Sequence, residues 1–524
     1  MRINEITTSL HPLTLTNHLS SMRAFNGAKM LALAAVFIAL FNTQIHAQNL
    51  QEFEKKVTEF TLDNGLHFII IERHDAPVAS FYTHVNVGGA DEPVGQTGIA
   101  HIFEHMAFKG TKYIGTTDWD KEKEVIDKMD AAYKDWLYAK FTPGVTEQEL
   151  AAKRTVFDNL QNEAKTYVVN NEFSQIIQQN GGTGLNASTG ADATNYFYSL
   201  PSNRAELWFN LEADRFKNPV FREFYVEKEV VREERRMRTE SNPIGRLVEE
   251  FLAVAYTAHP YGRPVVGWNS DITATTIEDA RKFYETYYVP ANITIGIAGD
   301  VDPRRMKRLA EEYFGDLRKG NPNVPPVTTV EPEQRGERRF TIEGNSQPIM
   351  LIGYHGVSDT HPDFEPLNML GTILSSGRTS RLYKKMVEGE KSALQVGAFN
   401  GFPGTKYGSM FLTLAIPNAG ISTDSLEASI YEEFEAAKTG VITQEELDRA
   451  ITNAKAGLIR GLANNTGLAL NFASTHSTKG DWRDVFRSVE RLEQVTLDDL
   501  QRVANTYLTK SNRTVGATVN AASN

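Results

Sequence analysis

Two histidines and a glutamate stand close together in the stretch GIAHIFEHMAFKGT, as His101, Glu104 and His105. On a helix, residues four positions apart share one face, and residues three apart lie beside them. The spacing therefore predicts two imidazoles and a carboxylate on one side of a helix. Two neutral imidazoles can bind a zinc ion and leave room for a third protein ligand and a water, which is typical of catalytic rather than structural zinc. The alternative, a chance meeting on an exposed helix, is disfavoured because the chain has only 12 histidines.

The segment FYVEKEVVREERRMR, which starts at Phe224, is the candidate source of a third ligand. Four of its residues follow the spacing i, i+3, i+4 and i+7 and so share one stripe of a helix: Glu227, Val230, Val231 and Glu234. A carboxylate buried beside valines is costly unless its charge is compensated, and zinc with its histidines would compensate it. We therefore predict that Glu234 is the ligand and that Glu227 orients a ligand or the water. The alternative is a helix without a metal, in which the two inward glutamates pair with arginines. The other charged residues are expected to form a solvated, salt-bridged surface: Glu229, Arg232, Glu233 and Arg236.

Length and composition set the limits for the rest of the chain. With 524 residues, of which 41% are hydrophobic, the chain can build two or more domains with real cores. Its formal net charge of −11 argues against nucleic acid as a partner and mainly indicates solubility. The absence of cysteine excludes disulfides, thiolate zinc sites, cysteine catalysis and a lipoprotein anchor.

One strongly apolar run, Met30–Phe41, lies near the N-terminus. It is about a dozen residues long, too short to span a bilayer comfortably. Basic residues precede it, and the small residue Ala47 precedes Gln48, which is the order of a secretory signal. We predict that residues 1–47 are a signal peptide, with Met22 as an alternative start and an uncleaved anchor as the alternative interpretation. The mature protein would then work outside the cytoplasm, in the periplasm, without a stable membrane span.

Strands and helices can be predicted on both sides of the segment that contains His101, Glu104 and His105. The stretches LHFIIIE and VASFYTHVNVG predict two strands, and the His101 helix follows, starting after Thr97 and ending at Gly110. Residues 118–180 have helical spacing on both sides of a Pro-Gly break, and a capping box formed by Thr146 and Glu149 starts the second helix. This predicts a helical hairpin inserted into the domain, with its aromatic residues used for core packing.

An internal repeat divides the chain. TIEDARKFYETYYVPANITIG, from Thr276, aligns without gaps with TLDDLQRVANTYLTKSNRTVG, from Thr496, and both copies predict a capped helix, a turn and a strand. We therefore predict an α+β fold of two homologous domains, each a mainly antiparallel sheet flanked by helices. The N-terminal domain covers residues 48–318, a linker 319–335, and the C-terminal domain 336–524, which has no counterpart of HIFEH and hence no metal site.

These segments resemble those of the M16 family of zinc peptidases, which includes pitrilysin, insulin-degrading enzyme and mitochondrial processing peptidase. HIFEHMAFKGT is similar to the family's zinc helix, whose H-x-x-E-H order defines the inverzincins, and EKEVVREE is similar to its downstream glutamate segment. LNASTGADATNYFYSLP is similar to its substrate-binding edge strand, and HPYGRPVVG to another typical stretch. The resemblance runs from about residue 52 to the C-terminus. More residues separate the zinc helix from the third ligand in this sequence than in most members, and the helical insert accounts for the additional residues.

The resemblance implies a role for each matching residue. His101, His105 and Glu234 would bind zinc, Glu104 would be the general base, and Glu227 would support the site. Asn186 and Ala187 would lie on a strand that pairs with an extended peptide.

One departure from the family pattern concerns the second domain. Complete members carry an arginine and a tyrosine there that reach the scissile carbonyl, whereas this chain has Val387 and Leu394 at those positions. Some members divide the two tasks between related subunits, and this chain resembles the zinc-bearing one. The resemblance therefore implies a heterodimer in which a related subunit supplies the arginine and tyrosine in trans.

The sequence as a whole predicts an extracytoplasmic zinc metalloendopeptidase that hydrolyses peptides or unfolded segments. The alternative is a non-proteolytic peptide-binding or assembly subunit with a structural zinc. Loss of the arginine and tyrosine favours that alternative, while Glu104 disfavours it, because a structural zinc needs no general base.

Overall fold

The computed structural model describes residues 53–344 and 346–520. The predicted signal peptide, residues 1–47, lies outside this described part of the chain. Within the described part, none of the helices combines the length and the apolar character that crossing a membrane requires.

A six-stranded sheet is built from the first part of the chain, in the order β1-β2-β6-β3-β5-β4. Its strands are β1 (Val57–Thr61), β2 (His67–Glu72), β3 (Val78–Val85), β4 (Thr183–Thr189), β5 (Thr194–Pro201) and β6 (Ile293–Gly299). Neighbouring strands are antiparallel except β2 and β6, which are parallel. The two strands predicted after the signal are β2 and β3. Strand β3 lies between β6 and β5 in the sheet, and nearly all of its residues are buried.

The helices of this part surround the first sheet and include the hairpin. They are α1 (Ile99–Met106), α2 (Trp119–Lys140), α3 (Glu147–Lys165), α4 (Glu172–Gln179), α5 (Ala205–Lys217), α6 (Phe224–Arg235), α7 (Pro243–Ala255), α8 (Asn269–Ala274), α9 (Ile277–Tyr287) and α10 (Pro303–Phe314). Helices α2 and α3 pack along each other as a hairpin. The side chain of Asp118 caps α2, and the predicted capping box of Thr146 and Glu149 starts α3.

A five-stranded sheet is built from the rest of the chain, in the order β7-β11-β8-β10-β9. Its strands are β7 (Arg338–Gly344), β8 (Ile349–His355), β9 (Ala393–Phe402), β10 (Met410–Pro417) and β11 (Arg513–Asn520). Its helices are α11 (Phe364–Ser375), α12 (Thr423–Lys438), α13 (Gln444–Gly461), α14 (Asn465–Lys479), α15 (Asp484–Glu493) and α16 (Leu497–Tyr507). Only β7 and β11 pair in parallel. The predicted α+β class is confirmed, while the domain boundaries stay predictions.

The repeat in the sequence is a repeat in structure. Helices α9 and α16 each begin with a Thr-Asp capping box, and β6 and β11 follow after one turn of 3₁₀-helix. The amide of Asn292 donates to Tyr287 O and Asn86 O, at 3.0 and 3.2 Å. The amide of the matching Asn512 donates to Tyr507 O and His355 O, at 2.9 and 2.8 Å. Each asparagine therefore ties the helix end to the strand beside it in the same way.

Each sheet is also covered by a helix from the other part of the chain. Helix α7 packs on β11, β8 and β7 of the second sheet, whereas α14 packs on β6, β3 and β2 of the first. We name α7 and α14 the exchanged helices. Gly296 of β6 allows the close approach of α14, because a Cβ at this position would lie 2.3 Å from Ala469 O.

Candidate metal centre

Helix α1 carries His101, Glu104 and His105 and is fixed at its N-terminus by Glu92. The N–H groups of Gly98 and Ala100 donate to the two carboxylate oxygens of Glu92, each at 2.9 Å. Burial raises the pKa of Glu92 to about 8, although these hydrogen bonds lower it. Gly98 begins the helix with a φ of 90°, a backbone conformation that side-chain-bearing residues rarely adopt. The helix ends at Met106 and not at Gly110 as predicted, because the chain turns after Ala107 before it reaches the glycine.

Helix α6 places two further carboxylates, those of Glu227 and Glu234, beside α1. Glu227 and Val231 are buried as predicted, but Val230 is 41% exposed, so its predicted burial is wrong. At about 100° per residue, Val230 lies about 60° round the helix from Glu227 and about 100° from Val231. The buried face is centred nearer Phe224, and the two glutamates lie at its edge rather than in its middle.

The remaining charges of α6 form the predicted surface. Arg232 pairs with Glu229 at 2.7 Å, and Arg236 pairs with Glu233. All four side chains are at least one-third exposed, so they leave the site to Glu227 and Glu234.

Three possible ligand atoms converge between α1 and α6. Glu234 Oε2 lies 3.3 Å from His101 Nε2 and 3.9 Å from His105 Nε2. Zinc bonds of about 2.0–2.1 Å in tetrahedral geometry place ligand atoms roughly 3.3 Å apart. The spacing of the three atoms therefore fits one zinc ion between them.

The chemistry of the three atoms also fits a cation. Glu234 Oε2 is buried and has no hydrogen-bond partner in the described part of the chain. Burial, followed by the charges of His105 and Arg238, lowers the pKa of His101 to about 4, so this ring is neutral and does not form an ion pair with Glu234. A buried carboxylate oxygen that faces the neutral imidazole of His101 is costly, and a metal ion would compensate it.

Glu227 holds His105 in place from the far side of its ring. His105 Nδ1 donates to Glu227 Oε2 at 3.0 Å, which leaves His105 Nε2 facing Glu234. Lys109 contacts Glu227 Oε1 at 2.6 Å and also binds Glu223 at 2.9 Å. Burial alone would raise the pKa of Glu227, but the hydrogen bonds from His105 and Lys109 outweigh it and lower the pKa, so Glu227 is a carboxylate. His101 differs, because its Nδ1 is buried without a hydrogen-bond partner among the residues described.

Glu104 is half-buried on the same helix, one residue before His105. It lies near Tyr196 and Tyr288, whose hydroxyl groups are 2.7 Å apart. Burial is the main cause of the raised pKa of Tyr196, and the charge of Glu104 adds to it. Glu104 thus lies on the same helix as His101 and His105, but it is not part of the group of three candidate ligand residues.

A buried ion pair ties the helical hairpin to the site. The guanidinium of Arg222 binds Glu122 of α2 at 2.6 and 2.8 Å, and both side chains are 1% exposed. The same guanidinium donates to Lys109 O and Ile114 O in the loop that follows α1. The hairpin is thus part of the scaffold that fixes the loop at the end of α1, the helix with the two candidate histidine ligands.

The two residues predicted to bind substrate lie on β4, at the edge of the first sheet. This strand pairs with β5 only, and α1 packs against it. Asn186 is exposed and Ala187 is buried. The N–H of Ala187 donates to Asn186 Oδ1 at 2.9 Å, so a peptide that paired through this group would displace the asparagine side chain.

Val387 and Leu394 lie in the second part of the chain. Val387 is in a π-helical segment, Tyr383–Gly389, and packs against the apolar core of the second sheet. Leu394 is 64% exposed near the start of the edge strand β9. Neither side chain can donate a hydrogen bond to a carbonyl oxygen.

Sequence reasoning missed Glu92, Lys109 and Arg222. Lys109 follows His105 by four residues, and this spacing was a usable signal. Glu92 and Arg222 lie outside the helical patterns, and only the folded chain brings them to α1.

Two family models match most of the chain. The model described as Insulinase (Peptidase family M16) matches residues 68–143 and 159–268, and the model described as Peptidase M16 inactive domain matches residues 274–454. The interruption of the first match falls within the helical hairpin.

Two relatives can be aligned with this chain over most of its length and most of their own. The zinc protease PqqE of Helicobacter pylori is 28% identical over 93% of this chain and 97% of its own length. The uncharacterized zinc protease ML0855 of Mycobacterium leprae is 25% identical over 87% of this chain and 90% of its own.

Solved structures share the fold. A crystal structure of a protease from Helicobacter pylori has a TM-score of 0.74 and 27% identity, and the match covers 88% of this chain and 99% of that one. A peptidase M16 inactive domain from Pseudomonas fluorescens has a TM-score of 0.68 and covers 89% of this chain and 98% of that one. At 15% identity, the second likeness concerns the fold alone.

Proposed function

The chain belongs to peptidase family M16, and from that premise we propose that it is an extracytoplasmic zinc endopeptidase acting on peptides or unfolded segments. The observation that carries the proposal concerns Glu234 Oε2, which is buried, has no hydrogen-bond partner among the described residues and faces two imidazole nitrogens. His101, His105 and Glu234 are the proposed zinc ligands. The relatives named as zinc proteases support the choice of metal. The extracytoplasmic location rests on the apolar run Met30–Phe41 and its flanking residues.

The proposed reaction is hydrolysis of a peptide bond. Zinc, when bound, supplies a Lewis acid that lowers the pKa of a water towards neutrality. Glu104 accepts a proton from the attacking water as its oxygen adds to the carbonyl carbon, and delivers that proton to the leaving amine as the C–N bond breaks. Glu227 keeps the Nδ1 proton of His105 engaged, so that Nε2 retains its lone pair for the metal.

The proposed substrate is an extended peptide that adds to the edge of the first sheet. Strand β4 has a neighbour on one side only and packs against the helix that carries Glu104. Main-chain pairing of this kind recognises an extended chain rather than a particular sequence. We assign Asn186 and Ala187 to this contact because they lie in the middle of this edge strand.

Substitution of Glu104 by glutamine tests the catalytic assignment. Gln keeps the size and polarity of the side chain but cannot accept the proton, so hydrolysis of an unstructured peptide should fall by about a hundredfold or more. Zinc content, measured by mass spectrometry of the metal, should not change. The matched control is Glu233→Gln on the exposed face of α6, which should keep full activity. Undiminished hydrolysis by the Glu104→Gln protein would show that another group is the base.

The second candidate function is that of a peptide-binding or assembly subunit with a structural zinc. Val387 and Leu394 favour it, because neither can stabilise the negative charge that develops on the carbonyl oxygen. Zinc-loaded protein that binds peptide but does not hydrolyse it, alone or with a related subunit, would support this candidate over the first.

A further inference from the structure

A second group of histidine and glutamate side chains lies where the exchanged helix α14 crosses the first sheet. Glu59 of β1, His67 of β2 and His476 of α14 each offer a ligand atom within 4.8 Å of the other two. Over the described residues, the only other group of this kind is the one formed by His101, His105 and Glu234. Since β1 and α14 come from opposite ends of the chain, the group exists only when the chain is folded.

Two ring nitrogens in this group have no hydrogen-bond partner in the part of the chain that the structure describes. His67 and His476 are stacked, with ring centroids 3.8 Å apart and planes 6° from parallel. His67 Nε2 and His476 Nδ1 are buried, and neither makes a hydrogen bond to any residue that the structure describes. Burial, followed by the charge of His476, lowers the pKa of His67 to about 4, and burial also lowers the pKa of His476. Both rings are therefore neutral at physiological pH.

The neighbouring residues orient the group as outer-shell residues orient metal ligands. Thr61 Oγ1 lies 2.9 Å from His67 Nδ1 and can accept a hydrogen bond from a protonated Nδ1, which leaves the lone pair on Nε2. Glu59 Oε2 lies 3.8 Å from the same Nε2. The other oxygen of Glu59 accepts a hydrogen bond from Arg483 at 3.1 Å. One carboxylate oxygen thus faces the imidazoles while the other is held by an arginine.

We propose that Glu59, His67 and His476 form a second site for a divalent transition metal, with zinc the best fit, that fastens α14 to the first sheet. Two imidazoles and a carboxylate suit zinc and its neighbours, whereas calcium and magnesium prefer oxygen ligands alone. Glu59 is exposed, so the ion has an entry path and a position for water.

Metal binding at this site requires a small rearrangement. Two parallel, stacked rings do not both aim a lone pair at one ion, so binding turns the rings away from parallel. The terminal torsion of histidine has a broad energy minimum, and this rotation is therefore cheap. The alternative is a neutral stacked pair that only packs the helix against the strand, and such a pair would bind no metal.

Zinc titration of the full-length, metal-stripped protein distinguishes the two interpretations. The wild type is expected to bind two equivalents of Zn²⁺, His105→Ala one, and the double variant His105→Ala/His476→Ala none. Co²⁺ serves as a second probe, because its visible absorption bands should persist in His105→Ala and vanish in the double variant. The matched control is His74→Ala, which removes an exposed histidine that lies 2.7 Å from Asp300 and 3.7 Å from Glu72 but belongs to neither group. It should leave both equivalents bound.

Two results would overturn the proposal. One is a His105→Ala protein that binds no zinc, and the other is a second equivalent that survives His476→Ala. If His476→Ala prevents folding, Glu59→Gln in the His105→Ala background replaces it, since this change keeps the size of the side chain. Zinc affinity should then fall by at least about tenfold, and the rise in Tm that zinc gives to His105→Ala should shrink with it. An unchanged affinity in that variant would also overturn the second site.

Discussion

The two sheets have the same plan, but only the first is followed by a helix that carries the proposed zinc ligands. The order β2-β6-β3-β5-β4 matches β7-β11-β8-β10-β9, with the same single parallel pair in each. The helix that follows β3 is α1, with His101, Glu104 and His105. The helix that follows β8 is α11, which buries leucines instead: Leu367, Leu370 and Leu374. A fold can therefore be retained while the chemistry of one helix is replaced.

Helices α1 and α11 differ in the interactions that stabilise them. A fully buried leucine stabilises the fold by about 1.5–3 kcal/mol, and this contribution does not require a metal ion. The polar face of α1 faces Glu234 Oε2 of α6, which has no hydrogen-bond partner in the described residues, and under the proposed function a zinc ion compensates this oxygen. The first sheet is thus expected to be sensitive to metal where the second is not.

The largest expected effects come from removing a metal ligand in one half and a leucine in the other. His105→Ala or Glu234→Gln should remove one equivalent of zinc and reduce hydrolysis to background, since the metal loses a bond it needs. Leu370→Ala in α11 should lower the free energy of unfolding by about 2–5 kcal/mol and keep the zinc. Metal analysis and denaturant unfolding of the variants provide the measurements. Zinc loss from Leu370→Ala would contradict the expectation that zinc binding does not depend on the packing of α11.

The next effect concerns the missing arginine and tyrosine of the second half. Removing one preorganised donor to the developing oxyanion typically costs a hundred- to a thousandfold in rate. We therefore expect the isolated, zinc-loaded chain to hydrolyse peptide about a hundredfold or more slowly than its mixture with a related subunit that has both residues. The measurement is kcat/KM alone and on mixing, with a partner variant carrying phenylalanine for the tyrosine as the control. Full activity in the isolated chain would point to another residue in the oxyanion role.

The sequence was sufficient for several of the elements and for the grouping of the candidate ligand residues. The i, i+3 and i+4 spacing predicted that His101, Glu104 and His105 share a face, and the phase of α6 predicted that Glu234 rather than Glu233 turns towards them. The repeat predicted the matching capped helices because its Thr-Asp pairs act locally. Such features depend on residues a few positions apart, which a single sequence displays.

The features that escaped prediction depend on long-range packing. Val230 was expected inside, but the neighbours of α6 lie closer to the side of Phe224. Arg222 forms a buried ion pair with Glu122 of the helical hairpin, although 100 residues separate the two in the sequence. The local sequence pattern around either residue gives no sign of this pair. The exchange of α7 and α14 between the sheets likewise depends on contacts between distant segments, which no spacing rule reports.

A smaller effect is expected from the residue that orients a ligand. Loss of an outer-shell partner typically lowers metal affinity by about 10- to 100-fold. Glu227→Gln should have this effect on the first site, because it weakens the hold on His105 Nδ1, whereas Glu233→Gln should leave the affinity unchanged. Competition with a chelator of known affinity measures both. A stronger effect of Glu233→Gln would mean that the phase assigned to α6 is wrong.

The smallest effects should come from the asparagines that the two halves share. Asn292 and Asn512 each donate two hydrogen bonds that join a helix end to a neighbouring strand, and each is half-buried. Replacing either by alanine leaves two carbonyl groups without that donor, and we expect each variant to lose about 1–3 kcal/mol of unfolding free energy. The two losses should be similar, because the contacts are the same in both halves. Denaturant unfolding gives the losses, and zinc binding by Asn512→Ala should be unchanged because its contacts lie in the second half. A large loss in one variant and none in the other would mean that the two halves share a strand order but not the interactions that stabilise it.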